Sequence, residues 1–255
     1  MTDPTPSPQP KALPHGFFDR DAQVLARDLL GKVIRHKVGD LWLSARIIET
    51  EAYYFAEKGS HASLGYTEKR KALFLDGGHI YMYYARGGDS LNFSAQGPGN
   101  AVLIKSAYPW VDAVSGPASL AQMLLNNPDA QGQPRTPQKL CAGQTLLCKA
   151  LGLKVPEWDA KRFDPERLLV EDVDVPTVNV IQTTRLGIPQ GRDEHLPYRF
   201  VDAAYAPGAP GTRCDADRSK VAIIFCFHKH TAQPCGSELA RDSVESTEWM
   251  LTDTP

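Results

Sequence analysis

The chain has 255 residues and a formal net charge of −2. With a pI of about 6.4, it does not hold nucleic acid through overall basicity, although a local basic face is compatible with it because charges are felt only within roughly 8 Å at physiological salt. A hydrophobic fraction of 42% and a charged fraction of 23% fit a globular protein with a sizeable core, and no apolar run approaches the roughly 20 residues of a membrane span. The five cysteines, Cys141, Cys148, Cys214, Cys226 and Cys235, are an odd count in a long chain without a secretory leader. Reduced thiols and an intracellular location are expected.

Taken in order, residues 1–15 hold Pro4, Pro6, Pro8, Pro10 and Pro14. Proline fixes φ and cannot donate to a helix or ladder, so this stretch reads as a disordered or extended arm outside the fold. Phe17 to Gly31 reads as a helical unit, with Asp19 or Asp21 as cap and Gly31 as the stop. Lys32–Val38 and Leu41–Tyr53 read as strands about a Gly39-Asp40 turn. Phe55–Leu75 is polar and loop-like, with the basic cluster Lys69-Arg70-Lys71. His79–Tyr84 is a tyrosine-rich strand, and Arg86-Gly87-Gly88-Asp89 is a turn. Leu91–Ser94 and Ala101–Ala107 are further strands, and the apolar run Ala101–Ile104 is expected to be covered on both faces. Ser119–Asn126 and Thr145–Leu151 read as helices. Leu168–Val173, Val178–Thr184, Tyr198–Val201 and Val221–Phe227 read as strands. Ala206–Arg213 is a Pro/Gly loop. The polar residues 237–255 form a tail, which leaves 16–236 as one domain. The order of elements predicts an α+β domain, an antiparallel sheet with helices packed on it.

One stretch carries chemistry. In Arg46-Ile47-Ile48-Glu49-Thr50-Glu51-Ala52-Tyr53, strand alternation puts Arg46, Ile48, Thr50 and Ala52 on one face. Ile47, Glu49, Glu51 and Tyr53 take the other. Glu51 beside Tyr53 sets a potential base against a flat ring, the equipment for holding a planar group and activating a water next to it.

Several ordered blocks resemble a known family. They are Leu25–Ile34, Arg46–Tyr53, Ser60-His61-Ala62, Gly78–Tyr83, Leu91-Asn92, Ala101–Lys105, Leu147–Gly152 and Arg185-Leu186-Gly187-Ile188. The set is similar to the alkyladenine (3-methyladenine) DNA glycosylase family of the mammalian type, over roughly residues 20–202. The resemblance implies a monofunctional base-excision enzyme with a single α+β domain, a curved antiparallel sheet, no metal and no cofactor. The expected partner is DNA containing a damaged purine, met by a monomer.

The resemblance makes Glu51 the base that polarises the attacking water. Tyr53 would cover one face of the flipped purine, His61 and Tyr83 the other, and Asn92 would line the floor. The family's water-binding arginine is Lys105 here, a point charge in place of a planar fork. The family's Thr-x-Arg-Asn becomes Thr67-Glu68-Lys69-Arg70, and its Gly-Pro-Gly-Lys helix entrance becomes Gly143-Gln144-Thr145-Leu146. The loop after the tyrosine strand is one residue shorter and lacks the family's tyrosine wedge. Arg86 is the expected replacement, with Tyr84 as the other candidate, and Lys69 and Arg70 are expected to contact DNA.

Two other patterns stand in the chain. Cys226, His228 and His230, followed by Cys235, alternate along one strand, but the spacing is not a usual zinc pattern, so a packed strand end is expected. Gly97-Pro98-Gly99 lacks the Lys-Ser/Thr of a phosphate cradle and reads as a hairpin loop. Two rivals from other classes remain. One is a protein that shields damaged or single-stranded nucleic acid without cutting it. The other is a hydrolase or deaminase of free nucleosides, against which the lack of a His-x-Glu with Cys-x-x-Cys speaks.

Overall fold

The computed structural model describes residues 10–85 and 87–208, together with the backbone of 223–226. Within these residues the strands are β1 (Val33–Val38), β2 (Leu41–Tyr53), β3 (Ile80–Ala85), β4 (Gly88–Ser94), β5 (Ala101–Pro109), β6 (Leu168–Glu171), β7 (Asn179–Thr183), β8 (Arg199–Asp202) and β9 (Ile223–Cys226). The helices are α1 (Ala22–Asp28), α2 (Pro117–Asn126), α3 (Pro137–Leu140), α4 (Gln144–Leu151) and α5 (Val155–Trp158).

The sheet is assembled on β2. Along one edge β2 pairs with β5; along the other its first half pairs with β1 and its last turn of residues with β8. The path runs β3-β4-β5-β2-β8-β7-β9, and β1 also carries β6. Every pairing is antiparallel. Two different strands on one edge of β2 make the sheet branch and curl. The expected α+β class, with a curved antiparallel sheet and packed helices, is therefore what the chain adopts.

β2 does not alternate evenly. Ile47 faces Ala107 and Glu49 faces Ser106, so Ile48 is an extra residue on β2; Thr50 then faces Ile104, so Lys105 is an extra residue on β5. These two bulges compensate, and each re-aims the side chains beside it. Ala45 and Ile47 before the first bulge share one core with Ala52 after it. Thr50 faces the same way, since its hydroxyl donates to the Ala26 carbonyl of α1 at 2.7 Å. Glu49, Glu51 and Tyr53 therefore point away from the helices, whereas Ile47 does not join them. The expected even alternation is corrected before the first bulge, where Ala45 and Ile47 rather than Arg46 and Ile48 share the core with Ala52, while the shared face of Glu51 and Tyr53 stands.

Helices α1, α2 and α4 cover one face of the sheet, and Leu25, Leu29, Ile47, Phe93, Val102, Ile104, Leu147 and Leu151 meet there. Ala101–Ile104 is buried throughout, as expected. Val102 and Ile104 enter the helix-side core, and Ala101 and Leu103 line a cleft on the other side. α1 starts at Asp21, whose carboxylate accepts from the backbone N–H of Gln23 at 2.9 Å and of Val24 at 3.2 Å. Its side chain also accepts from the Tyr54 hydroxyl. Asp21→Ala should lower stability by about 1–2 kcal/mol, read as a shift of the denaturation midpoint. An unchanged midpoint would show that the cap carries no stability.

Several expected boundaries shift. Lys11 to Leu13, assigned to the arm, lie against β6: the Leu13 N–H donates to Val170 O at 2.7 Å, and Ala12 bridges Glu171. Within the unit Phe17–Gly31 the helix is Ala22–Asp28, capped by Asp21 as expected but ending at Leu29 before Gly31, and a 3-10 turn at His15–Phe17 precedes it. The stretch read as loop contains 3-10 turns at His61–Leu64 and Glu68–Phe74. The turn read at 86–89 is tighter, because Gly88 and Asp89 already belong to β4 and pair with Ala85 and Tyr84. Gln96–Asn100 is the expected hairpin loop. Gly99, at φ +81°, presses so close to Phe55 that a Cβ would lie 2.8 Å from the Phe55 Cβ, so only glycine serves there.

Candidate active site

The pocket face of β2 and β5, the tyrosine hairpin β3–β4 and two loops enclose a cleft of about 430 Å³. Tyr53, His61, Tyr83, Asn92 and Lys105 all line it. These are five of the six residues that sequence reading placed at a base pocket and its chemistry. The sixth, Glu51, sits immediately behind Tyr53 and Lys105 with no exposed surface.

Glu51 is held from three sides. The Tyr53 hydroxyl donates to Oε2 at 2.7 Å, and the Leu186 backbone N–H donates to Oε1 at 3.1 Å. The Lys105 Nζ lies 3.4 Å from the same Oε1. Lysine reaches it because strand alternation sets Lys105 on the same face of β5 as Ala101 and Leu103. In this arrangement solvent reaches the carboxylate only when the lysine or the phenol swings aside. A buried carboxylate with two hydrogen-bond donors and an ammonium beside it is held in one place, as a general base requires. Burial and the neighbouring Glu51 charge push the Tyr53 phenol well above its ordinary pKa, so it remains a donor at neutral pH.

A second carboxylate lies under the first. Glu49 is fully buried, with Arg199 Nε at 2.6 Å on one oxygen and the Ser106 hydroxyl at 2.7 Å on the other. Burial raises its pKa, and Arg199 partly offsets that rise.

The walls are aromatic. Tyr53 forms one side, with the Arg185 guanidinium 4.6 Å from its ring centroid. Opposite, His61 and Tyr83 meet at 4.5 Å between centroids and 66° between planes, and Tyr81 stacks on Tyr83 at 26°. The Tyr81 hydroxyl and His61 Nδ1 are hydrogen-bonded at 3.1 Å. Burial, with Arg70 and Arg192 nearby, lowers the His61 pKa, so the ring is uncharged at neutral pH. Asn92 is buried, and its amide donates to Tyr81 O at 3.0 Å.

Of the residues expected to touch DNA, Tyr84, Lys69 and Arg70 lie outside the cleft. Tyr84 is 67% exposed and points away from it, the alternation expected when Tyr83 faces inward. Lys69 is exposed. Arg70 is half-buried, and its guanidinium donates to the Gly65 and Leu64 carbonyls, so it holds the loop that carries His61. Arg86, at the hairpin tip, is outside the described residues. His228, His230 and Cys235 are also outside them, and Cys226 is described only as backbone. Among the described residues no three metal-ligating side chains gather, and no helix is long and apolar enough to cross a membrane.

Sequence reading missed four contributors. Leu186 acts through its backbone N–H, for which no side chain is a signal. Arg185 stood in a noted block, but nothing local shows that it lies under Tyr53. Gln144, at the start of α4, and Arg192 also line the cleft.

A family model described as methylpurine-DNA glycosylase matches residues 16–206. Among curated relatives, each named "Putative 3-methyladenine DNA glycosylase", one from Pseudomonas fluorescens is 86% identical over 202 residues, covering 79% of this chain and 87% of its own. One from Pseudomonas aeruginosa is 71% identical over 217 residues, covering 85% of this chain and 90% of its own. A more distant one, from Methanoculleus marisnigri, is 29% identical over 194 residues, covering 74% and 93%.

Proposed function

This chain belongs to the methylpurine-DNA glycosylase family and is a monofunctional DNA glycosylase, and from that premise we propose that it turns a damaged purine out of DNA and hydrolyses its N-glycosidic bond with water held by Glu51. The observation that carries the proposal is a buried carboxylate, fixed by two hydrogen bonds and an ion pair, at the back of an aromatic-walled cleft. A base can be reached only outside the stack, and it must then be stacked and read by the pocket. Tyr53 on one side and His61 with Tyr83 on the other supply the stacking, worth about 1–3 kcal/mol per base. Asn92 lines the floor and tests the substituents of the purine.

The substrate class is an alkylated purine, such as the 3-methyladenine in the relatives' names, with deaminated purines as the neutral counterpart. An alkylated purine carries positive charge, so it leaves without a strong acid. An uncharged His61 does not repel it, and the ring faces attract it. Glu51 takes the proton of the attacking water as the C1′–N bond breaks, and Lys105 orients that water and the carboxylate. On the DNA side, Lys69 and Arg70 lie on the basic stretch beside the pocket. Arg86, next to Gly87, is the side chain we assign to the space left by the flipped nucleotide, because unstacking costs a few kcal/mol and an inserted group offsets it. The enzyme acts as a monomer without a metal, and the excision rate is expected to stay unchanged in excess chelator. A loss restored by zinc would bring Cys226, His228, His230 and Cys235 into the mechanism.

The test of the flipping step uses a fluorescent base beside a lesion, which brightens when it unstacks. Wild type should brighten it, Tyr84→Ala should do so normally, and Arg86→Lys should do so weakly. Normal flipping by Arg86→Lys with loss in Tyr84→Ala would move the inserted group to Tyr84. No brightening by the wild type on any lesion duplex it binds would favour the rival reading, a protein that shields damaged nucleic acid.

A further inference from the structure

We propose that Arg185 is a positioning residue for Glu51, an inference that rests on the glycosylase reading above. Its side chain is completely buried and ion-paired with Glu57. Nη1 also donates to Ala52 O at 3.0 Å, and Nη2 donates to Asp193 O at 3.3 Å. The guanidinium lies 4.6 Å from the Tyr53 ring centroid and 5.4 Å from that of Tyr198. One cation thus ties together the end of β2, the turn that carries Glu57 and the loop that runs from residue 185 to 193.

Both hydrogen-bond donors on Glu51 depend on this cation. Tyr53, whose hydroxyl holds Oε2, has its ring packed on the guanidinium. Leu186, whose N–H holds Oε1, is the next residue in the chain. A shift of Arg185 therefore moves both donors at once and leaves only Lys105 on the carboxylate. The guanidinium Nε is buried without a partner. An orphaned buried donor is costly, and here it accompanies a placement that sets the guanidinium carbon over the Tyr53 ring instead of satisfying every N–H. Lysine has neither the planar face nor the fork, so Arg185→Lys keeps the charge and the Glu57 pair but releases both donors.

The experiment compares wild type, Arg185→Lys, Glu57→Gln and Glu51→Gln by single-turnover excision of an alkylpurine. It also measures binding to duplexes carrying two abasic-site analogues: a neutral tetrahydrofuran, and a pyrrolidine whose cationic nitrogen stands where C1′ would face Glu51. Arg185→Lys should lose roughly 10- to 100-fold in excision rate, the scale of an ångström of misplacement. Its preference for pyrrolidine over tetrahydrofuran should fall toward that of Glu51→Gln. A purely structural role would weaken both analogues alike and leave the preference intact, which would overturn the inference. If Arg185→Lys does not fold, Glu57→Gln carries the test, because it removes the carboxylate that anchors the cation and should lower the same preference. Glu51→Gln at the wild-type rate would sink the glycosylase mechanism itself. Glu51→Gln inactive, with Arg185→Lys at the wild-type rate and preference, would sink this inference alone.

Discussion

Glu51→Gln should bind lesion DNA much as the wild type does and lose about two to four powers of ten in excision rate, the usual contribution of a positioned base. Glutamine keeps the length and shape of the side chain. Its carbonyl oxygen can still accept from the Leu186 N–H or the Tyr53 hydroxyl, which lie at 3.1 and 2.7 Å from the native carboxylate. What it lacks is the negative charge that takes a proton from water and stabilises positive charge developing at C1′. Lys105, which lies 3.4 Å from the native carboxylate, also loses its counter-ion and would repel an approaching cationic sugar. Single-turnover rates at saturating enzyme separate this from weaker binding. A wild-type rate in the variant would remove Glu51 from the chemistry.

The second large effect is on stability. Arg199→Met should destabilise the protein by about 3–5 kcal/mol, because removing one partner of a buried ion pair leaves the other charge uncompensated. Arg199 is 1% exposed and its Nε lies 2.6 Å from Glu49, which is fully buried. Among the described residues only the Ser106 hydroxyl, at 2.7 Å, would remain on that carboxylate. The pH dependence has a definite sign. Burial already raises the Glu49 pKa above its ordinary 4.5, and Arg199 works against that rise. A carboxyl that binds its proton more tightly folded than unfolded makes folding less favourable as pH rises from the ordinary value through the raised one. Losing Arg199 raises it further, so the destabilisation should be largest at neutral pH and shrink toward pH 4.5. Denaturant midpoints at the two pH values measure it. An equal loss at both would mean that Glu49 is not the group left unpaired. The double variant Glu49→Leu with Arg199→Met should recover part of the loss.

Much of the fold was legible because turns and apolar periods are local. Gly39-Asp40 marked the hairpin that opens the sheet, and Gly152, at φ +71°, ends α4 in the left-handed conformation that glycine adopts cheaply. α3 and α5 were missed: each is four residues long, too short for a 3.6-residue period to register. The bulge at Ile48 was invisible because Ile47 and Ile48 are both apolar, and a slip between two like residues leaves no trace in the pattern. Pocket residues on regular strands, such as Tyr53, Tyr83 and Asn92, could be placed by alternation and by resemblance. The Leu186 N–H on Glu51 could not, because it is a backbone contact spanning 135 residues of sequence. Arg185 was hidden for a related reason. Its packing on Tyr53 and its ties to Glu57 and Asp193 depend on how distant loops fold over the end of β2.

The most direct measurement of the central claim is product analysis of wild-type enzyme with duplexes carrying one hypoxanthine, one ethenoadenine or one alkylpurine. The account predicts that a free purine appears by mass spectrometry from at least the alkylpurine duplex. The strand should stay intact until alkali is added and then break at the lesion position, the mark of an abasic site left by a monofunctional glycosylase. Tight binding of all three duplexes with no free base released from any of them would contradict it.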